Sequence, residues 1–254
     1  MVKGENMSGH AVLLIANYGA ELIACAGALA LNARAGGRSH ALLLLARPEA
    51  RADLERAAGV LGCTLEFADL PYGGIDLTYE QKKRLVKTIR EFRPGIVIMQ
   101  DPERSWHDLD PDRRMGMMLT LEALALAGRD FAQEDLSSAQ PCPLPTLYHL
   151  WPEEPNCVVD IGPVWELKLE ALACISYQHA FTAEQIERTI APGELERAVP
   201  GYRSADPPAL RGLALHRVME QASALHHGLA GHTRFARAEV YRREGPFPLV
   251  RLVP

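Results

Sequence analysis

The sequence predicts an α/β fold: a mostly parallel sheet with helices on both faces and a C-terminal helical elaboration. Three observations carry that expectation. Short continuous apolar runs, such as Ala11-Val-Leu-Leu-Ile-Ala16, have the pattern of parallel strands buried on both faces. Stretches of helical length separate them, in the alternation β-α-β-α-β-α-β-α, which calls for right-handed crossovers. The chain has 254 residues, 48% hydrophobic and 23% charged, close to the average globule. At that length it should bury roughly 70–75% of its unfolded surface without disulfide or metal staples.

Ala11–Ala16 is the first strand, and Glu21–Ala35 a helix rich in Ala and Leu that stops at Gly36-Gly37. His40–Ala46 is a second apolar run. Ala50–Leu61 is a helix closed by Gly62, and Thr64–Phe67 a short strand. Leu70-Pro71-Tyr72-Gly73-Gly74 is a turn. Thr78 can cap a helix over Thr78–Phe92, whose Lys82, Lys83, Arg84, Lys87 and Arg90 read as a solvated face. Gly95–Met99 is a buried-type strand, followed by a polar loop over Gln100–Asp112 and a helix over Arg113–Ala127. The second half is less regular. Thr146–Leu150 and Cys157–Ile161 read as strands, Val164–Ile175 and Thr182–Ile190 as helices, and Gly193–Pro208 as a connector. Leu210–Leu229 reads as a long helix, a candidate subunit contact, and Arg234–Tyr241 has no clear type. No internal repeat interrupts the chain. One domain over residues 1–254 is expected, with a sheet core in 1–130 and short strands and helices in 131–254.

Composition narrows the function. Lys plus Arg is 27 against 32 Asp plus Glu, a net charge of −5, which argues against a cationic nucleic-acid surface. No apolar run reaches the ~18–20 residues of a membrane span. The first ten residues lack a secretory pattern. Five cysteines, an odd count with no C-x-x-C pair, suit reduced thiols in a cytoplasmic protein. The dinucleotide Gly-x-Gly-x-x-Gly, the phosphate-loop and the Gly-x-Ser-x-Gly patterns are all absent.

In open parallel sheets ligands sit beyond the carboxyl ends of the strands. Two loops leave such ends: Asn17-Tyr18-Gly19-Ala20-Glu21, and the charge-rich segment Asp101 to Arg114, which also holds Trp106 and His107. Candidate ligand contacts are therefore Asn17, Tyr18, Glu21 and Trp106, to which only the family resemblance given below adds Gln178. Candidate catalytic groups are Asp110, Asp112, His107 and Arg113. His149 and His179 fall near the expected pocket side.

Segment Leu13 to Ala30, with Leu70-Pro-Tyr-Gly-Gly74, Arg93-Pro-Gly-Ile-Val-Ile98, Asp101-Pro-Glu103 and Asp110-Pro-Asp-Arg-Arg114, resembles the LmbE/PIG-L family of zinc-dependent N-deacetylases. Asp160-Ile161, the run Lys168, Ala171, Leu172 and Gln178, and Arg237-Ala-Glu-Val-Tyr-Arg242 continue the resemblance in order. It implies a Rossmann-like α/β fold over most of the chain. It also implies where the family's chemistry would sit. The zinc ligands match Asn17, Ala20 and Arg113, the catalytic base Gly19, the oxyanion-steadying His Asp110, and a later His Ile175.

Zinc lowers the pKa of bound water from ~15.7 to ~7, roughly 12 kcal/mol of help in making hydroxide. An amide, a methyl and a permanent cation cannot supply it. The expectation is that Arg113 replaces part of the metal's charge, held by Asp110, Asp112 or Glu21. An arginine can clamp a carboxylate or phosphate and stabilise an oxyanion. The reading is of a deacetylase-like protein without metal or other cofactor, binding or transforming a small polar molecule. Two alternatives stand beside it. One is an amide hydrolase on an N-acyl sugar-like substrate, with zinc on replacement ligands His107, Asp108 and Glu21. The other is an inactive structural or regulatory homologue in a homo-oligomer.

Overall fold

A computed structural model describes residues 9–245. Its sheet has seven strands: β1 (Ala11–Ala16), β2 (Arg38–Leu43), β3 (Cys63–Phe67), β4 (Ile96–Gln100), β5 (Thr146–Leu150), β6 (Cys157–Asp160) and β7 (Ala238–Glu244). Their order is β3-β2-β1-β4-β5-β7-β6. The first five run parallel, and β7 is inserted antiparallel to both β5 and β6. The mostly parallel α/β architecture is thus the one expected.

Alternation along β1 divides the interior. Val12, Leu14 and Ala16 join the core under helices α1 (Ala20–Ala24), α2 (Ala26–Arg34), α3 (Pro48–Val60) and α7 (Trp165–Cys174). Leu13 and Ile15 point the other way, onto α4 (Tyr79–Phe92) and α6 (Pro111–Ala127). A strand sealed on both faces needs apolar residues at every position, which is why Ala11–Ala16 shows no polar alternation.

Several elements depart from the expectation. The helix over Glu21–Ala35 is two helices, broken at Cys25 (φ −106°, ψ 16°). The break opens a new helix N-terminus, where Gly27 and Ala28 donate their amides to the Glu239 carboxylate at 2.8 and 3.0 Å. An anion there satisfies orphan amides and the helix dipole. The polar loop after β4 holds helix α5 (Pro102–Trp106), and α6 begins at Pro111. Asp101 caps α5 by accepting from the Arg104 amide, and Asp110 caps α6 through the Asp112 amide. Each Asp-Pro pair is a cap followed by a proline at the first helical position.

Helix α8 (Ser176–Glu187) starts six residues before the expected Thr182. The connector after it contains α9 (Pro192–Ala198). The long helix is α10 (Pro208–Leu225), ending in one wider π-turn over His226–Ala230. The untyped segment near the end supplies β7. Arg90 is not on a solvated face: it is 1% exposed, because it lies one turn beyond Val86 on the inward side of α4. All five cysteines are unpaired. Cys25 is buried, whereas Cys174 is only partly covered. Among the described residues no helix is long and apolar enough to cross a membrane.

Candidate functional site

The strand order reverses between β1 and β4, so the loops leaving their carboxyl ends diverge and open a crevice. Loop 17–19 and α1 leave β1; loop 101–110, with α5, leaves β4. Asn17 ties the two. Its Nδ2 donates to the Asp112 carbonyl at 2.7 Å, and its Oδ1 faces Gly116 of α6. A Cβ at Gly116 would fall 2.4 Å from that oxygen. Gly116→Ala should therefore destabilise the protein by about 1–3 kcal/mol through overpacking, although alanine favours a helix by ~1 kcal/mol. A melting curve at or above that of wild type would show that Asn17 yields freely.

The Asp112 carboxylate accepts the Gly73 amide at 2.8 Å, which draws turn 71–74 to the crevice. Tyr18 donates its hydroxyl to Asp110 at 2.8 Å. Burial, followed by that bond, pushes the Tyr18 phenol well up. Glu21 is fully buried beneath the loop. It accepts from the Tyr18 amide at 3.1 Å and from Gln100 Nε2 at 2.8 Å. Burial lifts its carboxyl to about 7, against the pull of the Arg113 charge.

Together these elements enclose a cavity of about 400 Å³. Tyr18, Gly19, Ala20, Asp110, Arg113 and Gln178 line it, as does Ile175. Arg113 packs between rings, 5.4 Å from the centroid of Tyr18 and 5.9 Å from that of Trp151. Its Nε lies 3.8 Å from Asp108 and 3.7 Å from Asp110, charge pairs beyond hydrogen-bond reach. Asn17, Asp112 and Glu21 stand behind this wall as supports. Trp106 is 61% exposed, His107 is exposed too, and neither lines the cavity. Among the described residues no three His, Cys, Asp or Glu side chains form a group that could hold a metal ion.

His149 and His179 also stay out of the cavity lining; both are buried. His179 lies 2.6 Å from His216, Nδ1 to Nδ1, and burial lowers its imidazole to about 4. His149 lies 3.9 Å from Asp101 and 3.6 Å from Glu244, with its imidazole held down by burial. Beside it, Arg242 of β7 reaches Asp101 and Glu103 at 3.4 and 2.9 Å. This pairing anchors α5, and with it the loop that carries Asp108 and Asp110.

The sequence reading missed Arg47, Asp53, Tyr72, Tyr177 and Phe181, which also line the cavity. Arg47 follows the end of β2, so the strand-end rule could have found it. Asp53 is a structural anion. Burial opposes its charge, but bonds from Ser176, the Tyr177 amide and Arg56 hold its carboxyl low.

No family model matches the chain. It is 37% identical over 128 residues to the diacetylchitobiose deacetylase of Thermococcus kodakarensis, a match covering 46% of this chain and 45% of that protein. The chain thus spans under half the length of the curated relative it matches. Among solved structures it shares its fold with the N,N'-diacetylchitobiose deacetylase of Pyrococcus horikoshii. There the TM-score is 0.67 at 18% identity, over 92% of this chain and 83% of that one. The conserved protein TT1542 of Thermus thermophilus gives 0.66 at 19% identity, over 96% and 97%. The 4-carboxy-2-hydroxymuconate hydratase of Pseudomonas putida gives 0.64 at 18% identity, over 95% and 99%. The resemblance to the LmbE/PIG-L deacetylases read from the sequence is borne out by the deacetylase relative and the deacetylase fold.

Proposed function

Starting from that deacetylase likeness, we propose that this protein binds, and in an active form transforms, a small anionic metabolite at the β1–β4 crevice without zinc. The observation that carries the proposal is Arg113. Its guanidinium lines the cavity and donates no hydrogen bond among the described residues. Though charge-paired through Nε with Asp108 and Asp110, its fork has no hydrogen-bond partner among the described residues and can clamp a carboxylate or phosphate.

The donor chemistry supports the same reading. Zinc binds imidazole, thiolate and carboxylate. The positions that the resemblance assigns to the metal hold a neutral amide whose nitrogen is tied to the Asp112 carbonyl, a methyl group and a cation. That set does not fit zinc. The alternative of an N-acyl sugar hydrolase with replacement ligands takes its support from the relative's name. It is weaker because Glu21 is enclosed by its own hydrogen bonds while His107 faces solvent. The fold itself also serves a hydratase, so deacetylation is not its single use. The unpaired cysteines accord with a cytoplasmic setting.

Calorimetric titration of small carboxylates into protein purified without chelators tests the proposal. Binding should survive dialysis against a chelator. Arg113→Gln should weaken it about tenfold or more, the worth of a charge-assisted hydrogen bond. About one zinc per chain, with binding lost on its removal, would overturn the reading.

A further inference from the structure

The cavity wall contains a second arginine in the same condition as Arg113. The guanidinium of Arg47 lies 5.0 Å from the ring centroid of Tyr72. Tyr72 stacks on Tyr18, with centroids 6.3 Å apart and ring planes 24° from parallel. Tyr18 in turn carries Arg113 at 5.4 Å. Along one wall the order is therefore Arg47, Tyr72, Tyr18, Arg113: two cations bracketing two near-parallel rings.

The carboxylates of the cavity are occupied. Asp110 accepts from Tyr18 and caps α6, and Asp53 accepts from Ser176, Tyr177 and Arg56. The side chain of Arg47, like that of Arg113, donates no hydrogen bond among the described residues. The unspent polar capacity of this wall is thus cationic at both ends, and its middle is flat and aromatic.

We propose that the ligand is a planar dianion: a conjugated or aromatic core with a carboxylate at each end. One carboxylate meets Arg113, the other meets Arg47, and the core lies along the tyrosine pair. Two fork-shaped guanidiniums match two carboxylates, and the open edges of the paired rings favour the face of a flat core in edge-to-face contact. This inference rests on the anion-binding reading of Arg113 and adds the second charge and the shape.

The probes are terephthalate, its saturated cyclohexane analogue and benzoate, titrated calorimetrically into the intact chain. Terephthalate should bind about tenfold or more tightly than benzoate, the second charged contact accounting for the difference. It should also bind more tightly than the saturated diacid. Arg47→Gln should bring terephthalate down to the level of benzoate on wild type. Arg47 is exposed, and an unchanged melting curve will establish that the variant folds.

Benzoate binding as tightly as terephthalate, or terephthalate indifferent to Arg47→Gln, overturns the dianion and leaves the Arg113 reading standing. The saturated diacid binding as tightly as terephthalate overturns the planar core alone. No acid binding at all overturns both.

Discussion

Arg90→Met is expected to lower stability by on the order of 4 kcal/mol, a fall in melting temperature of roughly 8–16 °C for a chain of this size. Arg90 is nearly sealed from solvent on α4. Its guanidinium donates to five carbonyls, those of Leu126, Ala127, Arg129, Phe131 and Ala139, at 2.7 to 3.5 Å. Two of these lie in the last turn of α6, whose partial negative charge favours a cation; the others shape the segment that follows.

Each charge-assisted bond is worth roughly 1.5–3 kcal/mol, and removing the donor leaves buried acceptors unmatched. Apolar packing by methionine returns only part of that loss. Arg90→Lys should recover little, since an ammonium has three donors on a flexible stem instead of a rigid fork of five. A lysine variant melting with wild type would mean that charge alone, not the fork, stabilises this corner.

Lys168→Met is the second large effect, expected at about 3–5 kcal/mol. Lys168 is buried and holds Glu239 at 2.9 Å and Glu220 at 3.0 Å. These two carboxylates raise its ammonium pKa above the usual lysine range despite the opposing cost of burial. A raised folded-state pKa means the stabilisation is complete below the unfolded value of 10.5 and fades only as pH climbs through the higher folded value. The wild-type contribution is thus constant across neutral pH.

In Lys168→Met, Glu239 keeps its bonds from Gly27, Ala28 and Tyr241 but loses its cation. Pairing the change with Glu239→Gln should restore part of the loss, since the buried charge goes with its partner. Urea unfolding of the two single variants and the double variant measures the coupling. Strictly additive losses would show that the pair does not act as a unit.

The sequence was most readable where burial dictates pattern. β1 and β4 are sealed on both faces, so their apolar runs are unbroken, and both lead to the crevice. It was least readable where a local signal competed with a tertiary one. Arg90 looks like one more cation among Lys82, Lys83, Arg84 and Lys87, yet it sits four residues after Val86 and next to Ile89, on the buried stripe. The Asp-Pro pairs at Asp101 and Asp110 are helix starts, but the charge around them imitates a loop.

β7 carries Glu239, Arg242, Arg243 and Glu244. Its pairing partners lie far back in the chain, so no local period announces it. In the cavity, Arg113, Tyr18 and Gln178 could be placed because strand-end loops and the family resemblance point to them. Arg47, just past the end of β2, was within reach of the same strand-end rule, whereas Tyr72 lies in a turn that meets the crevice only after folding.

The position of β7 has a consequence for synthesis. Among the described residues β6 has β7 as its sole hydrogen-bonded neighbour, and α2 takes the anion at its amino end from Glu239. A nascent chain emerging from the ribosome can assemble the five parallel strands early. It must hold residues 157–160 unpaired until residues 238–244 have emerged as well, so β7 acts as a clasp on that edge of the sheet.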